Sequence, residues 1–136
     1  AATLGAEMGM YPGPEERFGR LMMDAFLTCR LVVDTGMNAL GWSLEQARDY
    51  MRANAFMPEQ EIRSESVRYS CDIPGQALAY KLGDTVIYEA REKMRAALGN
   101  RFDIRDFHDA VLRPGALPLP LLQRNVEEQT RRIAAS

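Results

Sequence analysis

The stretch that decides the fold is PEERFGRLMMDAFLTCRLVVDTGMNAL, residues Pro14–Leu40. Apolar or small residues recur along it at the 3.6-residue spacing of an α-helix and form one stripe. This stripe consists of Phe18, Leu21, Met22, Ala25, Cys29, Val32, Val33 and Gly36. Leu27 and Leu31 add apolar surface on the opposite side of the helix. The pattern therefore predicts a long central helix that is contacted on two sides.

Proline, glycine and capping residues divide the rest of the chain into further helices. Ser43 and Gln46 have the spacing of a capping box, and Gly41 and Gly99 are placed to end helices. The predicted elements are a helix tail before Tyr11, then helices from Ser43 to about Asn54, from Pro58 to Pro74, from Gly75 to about Leu98, after Asp103, and from Pro120 onward. No segment has the alternation of a strand. We therefore expect one all-α domain over residues 1–136, a multi-helix fold of orthogonal or bundle-like type.

The composition excludes several classes of function. The chain has 136 residues, is 46% hydrophobic and carries a net charge of −2 with both signs interspersed. That balance provides no basic patch for nucleic acid and no cationic face for a membrane. No apolar run reaches the roughly 18 residues that span a bilayer. The first residues lack the basic and apolar regions of a signal peptide, so the sequence leaves the compartment undefined.

The chain contains few residues of the types that usually hold metals or act as nucleophiles. Cys29 and Cys71 lie far apart in sequence, which disfavours a disulfide scaffold or a cysteine zinc site and predicts two buried or half-buried thiols. His108, between Asp106 and Asp109, is the single histidine, and we interpret it as exposed or capping. No Ser/His/Asp grouping, phosphate-binding loop or zinc helix is present. The sequence therefore predicts no metal ligands and no complete catalytic apparatus within this chain.

Two charged residues lie within the central helix. Arg30 and Asp34 are four residues apart and can pair along it. The pair is either a partly buried structural ion pair or a pair that faces a substrate.

A second unusual feature is DIPGQALAYKLGD, residues 72–84. On a helical wheel that starts at Gly75, Gln76 and Tyr80 share an edge of the apolar arc, whereas Lys81 points to solvent. A buried amide or phenol needs a partner, because an unmatched polar group costs about 1–3 kcal/mol. Gln76 and Tyr80 are therefore either satisfied core groups or part of the wall of a cleft. Tyr69, which follows Arg68 at a helix end, is either a packing aromatic or a second hydroxyl aimed at that cleft.

Four phrases of the chain, in order, resemble the carboxy-terminal part of a bacterial family catalogued as domain of unknown function 885. They are LGAEMGMY, RFGRLMMDAFLTCRLVVDTGMNALGWSLEQARDYM, PGQALAYKLG and RFDIRDFHDAVLRPGALPLPLL. The resemblance covers nearly the whole chain. It implies the carboxy-terminal half of an all-helical zinc metallopeptidase of the gluzincin kind.

The resemblance also implies that the zinc helix, its glutamate base and the third zinc ligand lie upstream of this chain. The full-length protein would then contain zinc and hydrolyse peptide bonds. The present chain would be a fragment that binds no zinc and is inactive alone.

The resemblance assigns candidate roles to residues near the unusual stretch. Tyr80 is implied as a catalytic donor that stabilises the oxyanion of the scissile carbonyl. Gln76, Tyr69, Arg68 and Lys81 are weaker candidates for holding the backbone or terminal carboxylate of a peptide substrate. These are the site residues that the sequence predicts.

Two functional hypotheses follow. The first is a helical segment of a zinc-dependent peptidase, whose partner is a peptide substrate and which self-associates through the face that truncation exposes. The second is a non-catalytic helical binding or scaffold module with an apolar groove. The sequence defines neither the substrate, nor endo- or exo-cleavage, nor the oligomeric state.

Overall fold

A computed structural model describes residues 2–135 of the chain. Over this range the chain forms seven α-helices and no strand, which confirms the predicted all-α class. The helices are α1 (Ala2–Glu7), α2 (Pro14–Ala39), α3 (Leu44–Asn54), α4 (Glu59–Val67), α5 (Leu78–Leu98), α6 (Ile104–Leu112) and α7 (Leu119–Ala135). A π-helical turn (Arg68–Asp72) follows α4 and a 3₁₀ turn (Gly99–Arg101) follows α5. No helix in the described range is both long enough and apolar enough to span a membrane.

The chain divides into two compact units, and the boundary between them falls inside α5, after Lys81. The first unit contains α1 to α4 and the first turn of α5. The second contains the rest of α5 together with α6 and α7.

Most helix boundaries lie where the capping residues predict them. In α3 the Ser43 hydroxyl accepts from the Gln46 backbone N–H at 3.2 Å, and the Gln46 side chain accepts from the Ser43 N–H at 2.8 Å. This reciprocal pair confirms the predicted capping box. At the start of α6 the Asp103 carboxylate accepts from the Arg105 backbone N–H at 2.9 Å. Gly41, just after α2, has a φ of +72°, which favours glycine.

The prediction that a helix begins at Gly75 is wrong by three residues. Residues 74–77 form turns, and α5 begins at Leu78. Gly75 has a φ of +82°, which is incompatible with an α-helical turn. The Asp34 carboxylate holds this turn by accepting from the backbone N–H groups of Gly75, at 2.9 and 3.0 Å, and Ala77, at 3.2 Å. A helix wheel starting at Gly75 therefore misplaces Gln76, which lies in the turn that precedes the helix.

The core of the first unit forms around the second half of α2. Cys29 and Val33 are buried there against α3, α4 and the π turn. The buried residues contributed by those elements are Ala47, Met51, Ile62 and Tyr69. The apolar stripe predicted along the whole of α2 is buried only in this half. Phe18 and Leu21, in the first half, are each 54% exposed.

The core of the second unit is built from one face of α5. Ala90, Met94 and Leu98 are spaced four residues apart and are all buried. They pack with the buried residues of α6 and α7, which are Phe107, Ala110, Leu122 and Val126. The Arg101 guanidinium donates to the carbonyl groups of Ile133 and Ala134 at the end of α7, at 3.2 and 3.1 Å.

Four single-residue predictions need comment. Cys29 is buried as predicted, and burial raises the pKa of its thiol to about 11. Cys71 was expected to be buried or half-buried but is exposed, because the π turn buries Tyr69 and leaves Cys71 on its outer side. Lys81, predicted to face solvent, is partly buried. His108 is partly buried beside the ring of Phe107.

Gly36 offers a test of the packing between α2 and Trp42. A Cβ atom at Gly36 would lie 2.5 Å from two atoms of the Trp42 indole ring. The ring is also held against Tyr50, at a centroid distance of 5.7 Å. We expect Gly36→Ala to lower the free energy of unfolding by about 1–3 kcal/mol through overpacking, measured by urea denaturation. The matched control is Gly19→Ala in the same helix, where a Cβ meets no atom within 4 Å. It should stabilise by about 0.5–1 kcal/mol, and equal effects of the two variants would contradict the packing argument.

Asp34 offers a test of the turn before α5. We expect Asp34→Ala to destabilise the first unit by about 2–3 kcal/mol, because the N–H of the buried Ala77 loses its acceptor. Hydrogen exchange at Gly75 and Ala77 should accelerate along with the drop in the urea midpoint. Asp49→Ala is the control, since the Asp49 side chain is 73% exposed, and it should cost less than about 0.5 kcal/mol. Unchanged exchange at Gly75 and Ala77 in the Asp34 variant would disprove the role of this carboxylate.

Candidate functional site

Asp34 positions the site by joining three segments of the first unit. It is 1% exposed, and besides the two N–H groups of the turn it accepts from the Asn38 side-chain amide at 2.9 Å. The same Asn38 amide group donates to the backbone carbonyl of Tyr69 in the π turn, at 3.1 Å. One carboxylate and one amide thus tie α2 to the π turn and to the start of α5. These bonds determine where the residues that follow, Gln76 and Tyr80, lie relative to α2.

Arg30, one helical turn before Asp34, is the centre of the site. It is only 6% exposed, and its guanidinium carbon lies 4.9 Å from the ring centroids of both Tyr69 and Tyr80 and 5.3 Å from that of Phe26. Cation–π contacts of this kind stabilise a desolvated guanidinium. We call Arg30, Phe26, Tyr69, Tyr80 and Gln76 the Arg30 cluster.

Arg30 and Asp34 do not pair with each other, so both predicted alternatives, a structural ion pair and a pair that faces a substrate, are wrong. In the described residues, Arg30 forms no ion pair, and its Nη2 donates to the Gln76 Oε1 at 3.1 Å. Asp34 binds backbone N–H groups instead. The i, i+4 spacing places the two residues on one side of α2, but the turn that Asp34 caps supplies better-oriented partners than the neighbouring guanidinium does.

Gln76 and Tyr80 meet as the wheel predicted, although Gln76 lies outside the helix. The Gln76 Nε2 donates to the Tyr80 hydroxyl at 3.2 Å. The Tyr80 oxygen therefore acts as the acceptor in this bond and its own proton remains available for another acceptor. Tyr80 is 46% exposed and Gln76 is exposed, so both are accessible to solvent. Gln76 thus contacts Arg30 with its oxygen and Tyr80 with its nitrogen.

Tyr69 lies beneath the guanidinium and is completely buried. Its hydroxyl donates to the Glu65 carboxylate. Burial, together with this bond, holds the pKa of the phenol far above its ordinary value. The structure thus gives Tyr69 the packing position that the sequence allowed, with its hydroxyl engaged inside the protein.

The two remaining candidates lie at the margin of the cluster. Arg68 is exposed on the π turn and pairs with Glu65 at 3.1 Å. Lys81 directly follows Tyr80 and is partly buried.

Sequence reasoning did not identify Arg30 as the centre of the site. The signal was present, because Arg30 follows the buried Cys29 and precedes the buried Val33 on the apolar side of α2. A charged residue among core positions is unusual. The partners that explain it come from residues about 40 to 50 positions away, which no helical spacing reveals.

The described residues do not form a metal site. No group of three or more histidine, cysteine, aspartate or glutamate side chains within residues 2–135 is arranged to hold an ion.

Comparison with known proteins places this geometry in a family. The profile of a family described as "Bacterial protein of unknown function (DUF885)" matches residues 1–126. A search of curated proteins found no match. Among solved structures, the chain is similar to the "putative lipoprotein from Colwellia psychrerythraea", with 42% sequence identity and a TM-score of 0.92.

This similarity covers 96% of the present chain but only 22% of the Colwellia protein. The chain therefore spans about a fifth of the length of that relative. With a profile match over most of its length, the chain belongs to the DUF885 family of bacterial proteins.

Proposed function

We propose that this chain is the carboxy-terminal helical part of a zinc-dependent peptidase and that it forms one wall of the peptide-binding cleft. Tyr80 would donate a hydrogen bond to the carbonyl oxygen of the peptide bond under attack. The resemblance of the family to helical zinc peptidases suggests the reaction. For this chain, the proposal rests on one observation: the exposed Tyr80 hydroxyl accepts a hydrogen bond from Gln76 and keeps its own proton for another acceptor.

Tyr80 has the properties that an oxyanion donor needs. Its ring rests on the Arg30 guanidinium, and its oxygen accepts from Gln76, so the hydroxyl is oriented while its proton is unused. The nearby positive charge of Arg30 stabilises negative charge that develops on a carbonyl oxygen in contact with the phenol. A donor held in place before the reaction stabilises that charge without a cost of reorganisation.

Gln76 and Arg30 would act as positioning residues. Gln76 connects Arg30 to Tyr80, because its oxygen accepts from the guanidinium and its nitrogen donates to the phenol. Its exposed position in the turn also allows it to approach a substrate backbone. Arg68, on the π turn, and Lys81, which follows Tyr80 in α5, would be further substrate contacts at the margins of the cleft. Tyr69 contributes from below, by supporting the guanidinium.

The zinc ion does not fit the residues of this chain. His108 is the single histidine of the sequence and lies in the second unit, and the described residues hold no suitable ligand cluster. In this proposal the metal ligands and the general base belong to another part of a larger protein. The chain's own contribution is binding and electrostatic stabilisation.

The exposed apolar residues of α2 agree with a role inside a larger protein. Phe18 and Leu21 are half-exposed, and Phe18 contacts the exposed Phe56 with ring centroids 5.9 Å apart. Apolar surface of this kind is normally covered. We propose that other segments of the larger protein cover it, and that the isolated chain self-associates through it.

The oxyanion role can be tested in the larger protein with Tyr80→Phe. This variant keeps the ring on Arg30 and removes only the hydroxyl. We expect kcat for peptide hydrolysis to fall by about 10²- to 10³-fold while KM changes little, because the bond strengthens only in the transition state. Zinc content and the circular dichroism spectrum should remain as in the parent protein.

The matched control is Tyr88→Phe on the same helix. Tyr88 is also half-exposed and also contacts a guanidinium, that of Arg91 at 5.1 Å. Its loss of a hydroxyl should leave kcat unchanged. A Tyr80 variant with normal turnover would show that the phenol does not contact the reacting carbonyl.

The absence of metal ligands from the chain can be tested directly. We expect the isolated 136-residue chain, dialysed against zinc and measured by plasma mass spectrometry, to retain far less than one equivalent. It should not cleave peptides that the larger protein cleaves. Stoichiometric zinc together with chelator-sensitive hydrolysis by the isolated chain would contradict the proposed division of roles.

A further inference from the structure

The positive charge of Arg30 is buried and forms no ion pair within residues 2–135. Its residue is 6% exposed and its Nε atom is enclosed with no hydrogen-bond partner. In the described part of the chain, the side-chain hydrogen bond of its guanidinium goes to neutral Gln76, at 3.1 Å. Burying a charge is costly unless it is paired, and removal of one partner from a buried pair costs several kcal/mol. The Arg30 cluster therefore contains a buried cation to which an anion could bind.

The carboxylates of neighbouring elements are engaged with other groups. Asp34, one turn further along α2, accepts from the backbone of the turn and from Asn38. Glu65, on α4, accepts from Tyr69 and pairs with Arg68. Neither forms an ion pair with Arg30. Among the described residues, Arg30 therefore has no carboxylate partner.

We propose that the Arg30 cluster is a binding site for a carboxylate. A guanidinium presents a planar fork of donors that matches a carboxylate, and its Nε is one of the atoms used in that fork. Of the three rings around it, Tyr80 is the most exposed, so a ligand would reach the guanidinium from the side of this ring. The unused Tyr80 proton supplies a further donor beside the guanidinium.

Two sources can supply this carboxylate. One is the free carboxy terminus of a peptide, and the other is an aspartate or glutamate side chain from another part of the larger protein. The peptide source rests on the proposed peptidase function, whereas carboxylate binding by Arg30 does not. Peptide binding would make the enzyme select substrates with a free carboxy terminus near the cut bond.

The test is a titration of the 136-residue chain, labelled with ¹⁵N, with acetyl-alanyl-alanine and with its carboxamide. The two probes differ by one negative charge. The titration is done at about 0.15 M salt, where exposed charges more than roughly 8 Å apart are screened, so that a difference between the probes reports close contact. We expect the Arg30 Nε–H resonance to shift in a saturable manner with the acid and not with the amide. Arg30→Lys should weaken binding about tenfold or more, because it removes the planar fork, while Arg63→Lys, whose side chain is 68% exposed and lies outside the Arg30 cluster, should bind as the parent does.

The wild-type titration decides the question even if Arg30→Lys does not fold. Equal shifts with the acid and the amide, or no shift at Arg30, would overturn the proposal. A repeat with the larger protein then separates the two sources. Binding there supports a peptide carboxylate, whereas binding only to the isolated chain supports a carboxylate that the larger protein itself provides. Binding is measured without turnover, so a failure of the peptidase proposal in the Tyr80→Phe assay leaves this result interpretable.

Discussion

The arrangement of the first unit depends on the hydrogen bonds of the Asp34 carboxylate. This buried group accepts from two backbone N–H groups of the turn before α5 and from Asn38, which in turn holds the π turn. Bonds from N–H donors to an ionised acceptor are stronger than neutral ones. They stabilise the positive φ of Gly75 and the late start of α5. Together with the buried side chain of Ala77, they hold the turn against α2, which places Gln76 and Tyr80 beside Arg30.

The Arg30 cluster follows from this constraint. The guanidinium is held by three aromatic rings and by one amide, and the same amide orients the Tyr80 hydroxyl. Within the described residues, the outcome is a cation that forms no ion pair, next to a phenol whose hydroxyl donates no hydrogen bond. Both properties favour contact with an oxygen that carries negative charge. The proposed oxyanion stabilisation by Tyr80 and the proposed carboxylate binding by Arg30 would use the same electrostatic arrangement. They differ in whether the negative charge develops during a reaction or is already present.

The sequence predictions were right where the interacting residues lie close together in the chain and wrong where they lie far apart. Local signals worked well. The Ser43 capping box and the Asp103 cap each involve residues at most three apart, and both are present. The start of α5 was misplaced because the decisive acceptor, Asp34, lies 41 residues before Gly75. The wheel placed Gln76 and Tyr80 side by side, and the two contact each other although Gln76 is not helical, because the hydrogen bond from the Ala79 N–H to the Gln76 carbonyl leads directly from the turn into α5.

The sequence by itself determined the all-α class, most helix boundaries, the family and the choice of Tyr80 as the residue of interest. These properties rest on periodicity, on caps and on motifs, all of which are encoded within short segments. Only the tertiary structure decided that Arg30 and Asp34 bind different partners, that Tyr69 is buried against Glu65 and that Arg30 stands at the centre of the site. The physical reason is that a buried charge takes whichever partners the fold brings to it, and here those partners come from distant parts of the chain.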